Sequence, residues 1–560
     1  MNGRHLGLAA SLFVTSQFAA SQSPAAGAAG SKPAVEIRTL TNGLRLVVAP
    51  VPNTTAVACR VVYKNGSADD PPSIPGFAEL MTRLLDQGTI QTGVRDYDKE
   101  KESRRDVLNF EVTYRSFYKE ALELYRRGEG PDPGDVTSRP ESLQKLRDVL
   151  DTLEDRRRRD WTPGAQREWY ARAGAARAAW RVEKDYTIFE ITIPAERAEL
   201  FFALEADRLQ NAVFRNTSAA RDELTKRRVE QLEQLPAFGA EEDFYTQMWA
   251  GERYAARGAG ADSLDAVSLE QFEREKLRFT SPSQAALVLA GNISIGQAVE
   301  WAEKYFIFPS WVPEREDTIQ TIQFPTRAFR MEGEGAGPAS VTFAWRIPGA
   351  AHRDRAALTV LREIAEAEMA KQLHSTIDGK VVITNATVES KYYKYGGLFI
   401  LRAFVTDNAM LPTVETAFAA ALTPQKTLPA AAIVAAAARR ATMRIERELL
   451  NIDSLANSLA EFEVFGSAAD IDAYKARLQN VTPAELSRVT HRYFTIDRAG
   501  IYIFKRSKSA PMPRPAPPVI PPAVESKPAL QLESQPASQP ASQPASQPAS
   551  RAATQPAENK

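Results

Sequence analysis

Histidine and cysteine, the side chains that most often bind metals or attack substrates, are scarce in this sequence. Of four histidines, His352, His374 and His491 lie far apart, and none has a partner at metal-ligand spacing. Cys59 is the only cysteine, so no intrachain disulfide can form. The sequence also has no G-x-S-x-G nucleophile elbow and no P-loop. These residues alone therefore indicate no familiar catalytic centre.

The balance of charge argues against a dedicated nucleic-acid-binding protein. The 560 residues contain 70 basic and 70 acidic side chains, and the longest basic run, residues 156–159, is flanked by Asp155 and Asp160. We interpret that run as a solvated helix end. A hydrophobic content of 44% over this length predicts a soluble globular protein of two or more domains.

The two ends of the chain are predicted to lie outside any folded domain. Residues 1–22 read as a signal peptide, in which Arg4 and His5 precede a short apolar stretch and small residues follow. The alternative is an unstructured start. Residues 507–560 are rich in Pro, Ala, Ser and Gln and predict a disordered tail. No stretch approaches twenty apolar residues, so we expect a periplasmic or secreted protein without a transmembrane span.

An internal repeat predicts two related domains between the two ends. Residues 264–279 and 478–493 match in kind at six positions, and each copy places Ser268 or Thr482 where a helix N-cap belongs. Each copy leads into a strand, which we predict to lie at a sheet edge. We expect a duplicated α+β fold over residues 35–310 and 325–506; chance similarity of two capped helices is the alternative.

Residues 95–172 interrupt the first of these domains. Two highly charged helical stretches, 99–127 and 141–159, surround a loop rich in glycine and proline. We predict an inserted helical hairpin with only a narrow buried face.

An ordered set of motifs resembles the insulinase/pitrilysin family of zinc metallopeptidases. N-G-L begins at Asn42, G-S-x-x-D follows as G-S-A-D-D from Gly66, and a helix ending in G-T spans Gly76 to Thr89. The sequence A-D-R-L continues from Ala206, and a strand ending in Gly-Asn reaches Asn292. The resemblance covers about residues 35–310, and the repeat extends it to 505.

The resemblance implies a mixed sheet of five or six strands in each half, with both halves forming part of a hollow shell that encloses peptides. It also implies a zinc endopeptidase with an H-x-x-E-H motif, in which two histidines bind the metal and the glutamate activates water. Here the ligand positions hold Glu79 and Arg83, and the position of the general base holds Thr82. The third ligand position is assigned to Glu233.

This departure from the family predicts a protein that binds no zinc. We expect Arg83 to bridge the carboxylates of Glu79 and Glu233 where the metal would lie, the alternative being that Arg83 points to solvent. The family's substrate-holding N-A-x-T appears as residues 179–182 without the Asn or the Thr. Residues 374–380 also lack the Arg and Tyr that the resemblance implies for the second half.

Three functional hypotheses follow. The first is a non-catalytic subunit of the cell envelope that pairs with an active zinc peptidase chain of the same family. The second is a divergent metalloendopeptidase with a rearranged metal site. The third is a stand-alone envelope protein that binds peptides or unfolded segments.

Overall fold

A computed structural model describes residues 34–71, 74–133, 138–234, 236–250, 252–255, 269–311, 328–372, 376–377, 380–421 and 429–507. The predicted signal peptide and nearly all of the predicted tail lie outside these residues. Within the described ranges, no helix is both long enough and apolar enough to cross a bilayer.

The first half of the chain is built on a six-stranded mixed sheet with the order β1-β2-β6-β3-β5-β4. Its strands are β1 (Glu36–Thr39), β2 (Arg45–Pro50), β3 (Ala56–Tyr63), β4 (Ala176–Val182), β5 (Thr187–Pro194) and β6 (Ala285–Gly291). Strands β2 and β6 run parallel, and all other neighbours are antiparallel.

The second half repeats this topology in a five-stranded sheet with the order β11-β12-β8-β13-β7. Its strands are β7 (Phe329–Gly335), β8 (Ser340–Pro348), β11 (Ile383–Tyr392), β12 (Gly396–Val405) and β13 (Gly500–Arg506). Two short strands, β9 (Thr376–Ile377) and β10 (Lys380–Val381), pair separately. Without β1, the strand order and directions of the first sheet match those of the second, which confirms the predicted α+β duplication.

One detail of the predicted repeat is wrong. The strands that follow the two repeat copies are β6 and β13, and both lie inside their sheets rather than at an edge. Each has its parallel neighbour on one side and an antiparallel neighbour on the other. A strand with neighbours on both sides and helices on its faces is uniformly apolar, as the fully buried sequence of β6 shows.

Fifteen helices are described, nine of them in the first half. These nine are α1 (Phe77–Leu85), α2 (Tyr97–Arg126), α3 (Glu141–Arg157), α4 (Ala165–Arg172), α5 (Ala198–Asn211), α6 (Thr217–Gln234), α7 (Pro236–Met248), α8 (Leu269–Phe279) and α9 (Ile295–Tyr305). The second half contributes α10 (Arg355–Gln372), α11 (Leu411–Ala421), α12 (Ala431–Glu448), α13 (Ile452–Phe465), α14 (Asp470–Gln479) and α15 (Pro483–Tyr493).

The two halves exchange helices across their sheets. Helix α13 of the second half packs on the first sheet, where Leu455 and Leu459 join a core that includes Val288 of β6. Helix α7 of the first half packs on the second sheet, where Phe244 joins a core with Tyr502 of β13. Each half therefore completes the hydrophobic core of the other, so the two halves are interdependent.

A buried arginine in each sheet bonds to the exchanged helix. Arg60 of β3 donates to Asp453 at 2.8 Å and to Asn457 at 2.6 Å, both on α13. Arg402 of β12 pairs with Glu241 of α7. Because an unpaired guanidinium is costly to bury, these contacts fix where each helix lies on its sheet.

The predicted helical hairpin is present between α1 and β4. Helices α2 and α3 enclose a small apolar core made by Val107, Tyr114, Leu143 and Leu150. Outside that core the hairpin is largely charged, as its sequence indicates.

Candidate functional site

Helix α1 carries the three positions that the resemblance assigns to metal chemistry. Its first turn is capped by Asp70, which accepts the backbone N–H groups of Gly76 at 2.7 Å and Ala78 at 2.8 Å. The Thr82 side chain is buried, and its hydroxyl donates to the carbonyl of Glu79 at 2.7 Å. A neutral hydroxyl bonded to its own helix cannot act as the general base that the glutamate of the motif supplies.

Arg83 turns towards α6 rather than towards solvent. Its side chain is 16% exposed, and its Nε lies 3.7 Å from Oε1 of Glu223 on α6. Its Nη1 donates to the backbone carbonyl of Glu79 at 3.0 Å. Burial, followed by repulsion from Arg227, lowers the pKa of Arg83 from its ordinary value.

Glu223 is shared by two arginines. Arg227, one turn further along α6, donates to Oε1 of Glu223 at 3.0 Å. A single carboxylate therefore lies between two guanidinium groups. We call Arg83, Glu223 and Arg227 the α1–α6 charge cluster.

The assignment of Glu233 to the third ligand position stays a prediction, because its side chain lies outside the described residues. Glu233 follows Glu223 by ten residues on the same helix, and at 1.5 Å per residue this separation is about 15 Å along the axis. The contact between Arg83 and Glu223 fixes which part of α6 faces α1. The α6 carboxylate opposite the old motif is thus Glu223. Sequence matching missed Glu223 because the helix has few apolar positions to fix its register.

The residues at this site do not fit the zinc ion that the family resemblance implies. Histidine is absent from Glu79, Thr82 and Arg83, and a guanidinium lies where a ligand atom should be. Glu223 already bonds to two cations. Across the described ranges, no group of three or more His, Cys, Asp or Glu side chains is arranged to hold a metal ion.

Other parts of the family motifs make buried polar contacts that position α1. The Asp207 carboxylate accepts the hydroxyls of Thr89 at 2.5 Å and Thr92 at 2.9 Å, both in the loop that follows α1. Next to it, Arg208 is fully buried and donates to both oxygens of Glu205 at 2.8 and 2.7 Å. Burial by itself would lower the pKa of Arg208, but Glu205, Asp86 and two nearby tyrosines together outweigh burial and raise this pKa above its ordinary value.

The segment expected to hold substrate is the edge strand β4. Its pairing with β5 shifts register between Ala176 and Ala179, which marks an irregularity in the ladder. Trp180 packs against the rings of Tyr63 and Phe189, with centroids 5.8 and 5.0 Å away. A large indole therefore lies beside α1 where the N-A-x-T motif has alanine.

Comparison with known proteins identifies proteins that share this fold. Residues 266–439 match the model described as "Peptidase M16 inactive domain". No curated protein sequence matches the chain. Among solved structures, a protease from Helicobacter pylori is 15% identical with a TM-score of 0.64, and the match covers 84% of this chain and all of that one.

Two further solved structures give the same result. A peptidase M16 inactive domain from Pseudomonas fluorescens is 13% identical with a TM-score of 0.61, covering 86% of this chain and 99% of that one. The first half of the periplasmic protease PqqL from Escherichia coli is 14% identical with a TM-score of 0.59, covering 86% and 94%. At such identities the structures show the fold alone.

Together with the match of residues 266–439 to the inactive-domain model, they confirm the predicted fold: this chain has the M16, or insulinase/pitrilysin, fold, and its sequence resembles a degenerate member without the H-x-x-E-H motif.

Proposed function

We propose that this protein is a non-catalytic, insulinase-like subunit of the cell envelope that pairs with an active zinc peptidase chain of the same fold. The observation that carries the proposal is the α1–α6 charge cluster, in which two arginines pair with the α6 carboxylate that faces Arg83 of the motif helix. A site with an arginine at one ligand position, no histidine and a threonine at the position of the base lacks the ligands and the base of a zinc peptidase.

The retained contacts support a role in binding rather than in chemistry. Asp207 and Arg208 keep the loop after α1 and helix α5 in place, although α1 has lost its metal ligands. A chain that keeps the fold but not the chemistry can still contribute one wall of a peptide-enclosing shell. Peptides or unfolded segments are the ligands such a wall would contact.

The proposed location rests on the N-terminal sequence. Residues 1–22 have the pattern of an export signal, and one protein of similar fold is described as periplasmic. We infer export to the periplasm or the exterior.

Purification of the tagged full-length protein from its native envelope tests the proposal. We expect a second M16 chain with an intact H-x-x-E-H to co-purify, and chelator-sensitive hydrolysis of unfolded peptides to require that chain. The control is the isolated protein, which should contain no stoichiometric zinc and should cleave nothing.

The remaining hypotheses give different results in the same experiment. One equivalent of zinc and chelator-sensitive cleavage by the isolated chain would establish a divergent metalloendopeptidase. Peptides bound to the isolated chain, with no second M16 chain in the envelope preparation, would establish a stand-alone binding protein. Either result would replace the proposed function.

A further inference from the structure

The inserted hairpin makes its strongest contacts at the start of α6. Arg215, two residues before that helix, is fully buried with Glu100 of α2, and their charged atoms are 3.1 Å apart. Arg215 also donates to the carbonyls of Gln87 at 3.2 Å and Thr89 at 3.0 Å, directly after α1. One guanidinium therefore joins the end of α1, the hairpin and the start of α6.

The base of the hairpin surrounds this junction. Trp161, which follows α3, donates its indole N–H to the carbonyl of Gln87 at 2.9 Å. The guanidinium groups of Arg157 and Arg215 lie 5.4 and 5.6 Å from the Trp161 ring. Arg157 also donates to the side chain of Asn216. Both ends of the insertion thus bond to the residues that directly follow α1 and to those that directly precede α6.

Further contacts continue along the first two turns of α6. Glu111 of α2 is buried, accepts from Arg221 at 3.3 Å and accepts the hydroxyl of Thr217 at 3.1 Å. Arg147 of α3 pairs with Asp222 at 3.3 Å. Beyond these turns α6 is far less covered, since Val229 and Leu232 are exposed. The part of α6 that faces Arg83 is therefore next to the part that the hairpin holds.

We propose that the inserted hairpin is a clamp that fixes α6 against α1, the two helices that carry the altered metal positions. In the M16 motif a metal ion would join these helices through side chains from both. In this chain the charged contact between the two helices is the half-exposed pair of Arg83 and Glu223, which contributes little, and Leu224 of α6 joins the apolar core that contains α1. The hairpin adds buried charge pairs on both sides of the junction. The inference is independent of whether the protein has a partner chain.

Hydrogen exchange of the full-length protein tests the clamp. In the double variant Glu100→Ala and Glu111→Ala, Arg215 and Arg221 lose buried partners. We expect amides of α6 to exchange at least about tenfold faster, while amides of α12 in the other half keep the parent rate. Glu141→Ala is the matched control, because Glu141 lies on the same hairpin in an exposed pair with Lys145.

The outcomes distinguish a hairpin that holds α6 against α1 from one that does not affect the contact between these helices. Unchanged exchange in α6, or equal acceleration in α6 and α12, would overturn the proposal. If the double alanine variant does not fold, Glu100→Gln with Glu111→Gln decides, since the amides keep shape and some hydrogen bonding but lose the charge. That variant should show a smaller acceleration confined to α1, α6 and the hairpin, and no selective acceleration would refute the clamp.

Discussion

Two polar clusters of the first half have different environments. In the cluster on α5, Arg208 and Glu205 are both 0% exposed, and Asp207 binds two threonine hydroxyls. In the α1–α6 charge cluster, Glu223 is 59% exposed and Arg227 is 64% exposed. The first cluster is part of the core, whereas the second lies at a surface between two helices.

The difference separates residues needed for the fold from residues needed for chemistry. Removing one member of a buried charge pair leaves an uncompensated charge, so substitution there is costly. Exposed charges are solvated and screened, so their types can change with little effect on stability. A chain relieved of catalysis can therefore lose the metal ligands of α1 while keeping the A-D-R-L residues of α5.

The largest expected effect comes from rebuilding the altered cluster. In a variant with Glu79→His, Thr82→Glu, Arg83→His and Arg227→Ala, the two guanidinium groups that hold Glu223 are gone. We expect one equivalent of zinc by elemental analysis, with Glu223 as the third ligand. Adding Glu223→Ala should abolish binding, whereas adding Glu233→Ala should not. If zinc binding is instead lost with Glu233→Ala and kept with Glu223→Ala, Glu233 is the third ligand.

The next effect concerns the buried cluster. Arg208→Ala leaves the Glu205 carboxylate without its bidentate partner in a fully buried site. We expect the free energy of unfolding to fall by about 3–5 kcal/mol, measured from urea unfolding curves. The control is Arg172→Ala, because Arg172 pairs with Glu168 at the surface of α4 and should cost less than about 1 kcal/mol. Similar losses in the two variants would contradict the distinction between the clusters.

A smaller loss is expected at Asp207. In Asp207→Ala the hydroxyls of Thr89 and Thr92, both in buried residues, lose their shared acceptor. An unsatisfied buried polar group costs about 1–3 kcal/mol, so we expect a decrease in that range in the same unfolding assay. Asp207→Asn keeps one carbonyl acceptor and should lose less. An Asp207→Ala variant as stable as the parent protein would show that the loop does not depend on this carboxylate.

The sequence predicts the fold much better than the site. The duplication and the hairpin follow from apolar periodicity, turn residues and the internal repeat, because these patterns reflect burial. The two mixed sheets are what the family resemblance implies. Whether a strand lies inside or at the edge of a sheet depends on pairing distant in sequence, and the interior placement of β6 and β13 was not predicted. The contact between Glu223 of α6 and Arg83 was also not predicted, since a mostly polar helix gives little indication of which carboxylate faces α1.

The buried charge pairs of the insertion were also not predicted from the sequence. Glu100 and Arg215 are separated by more than a hundred residues, and each looks like an ordinary surface charge in its local context. Their burial follows from how α2 packs beside the start of α6, which local patterns do not encode. The same holds for Arg60 and Asp453, which join the two halves.

The smallest expected effect is that of Arg83→Ala. If Arg83 bridged two buried carboxylates, its loss would cost about 2–4 kcal/mol, as the sequence predicted. Its ion-pair partner is instead the half-exposed Glu223, which retains Arg227 at 3.0 Å when Arg83 is removed. Removal also ends the repulsion between the two arginines. The backbone carbonyl of Glu79 loses the Arg83 donor but remains part of helix α1. We therefore expect a loss of about 0.5–1 kcal/mol that becomes smaller in high salt.

The control is Arg227→Ala, which removes the more exposed arginine and should change stability by less than about 0.5 kcal/mol. A loss above about 2 kcal/mol for Arg83→Ala, independent of salt, would show that this cluster supports the fold as the α5 cluster does.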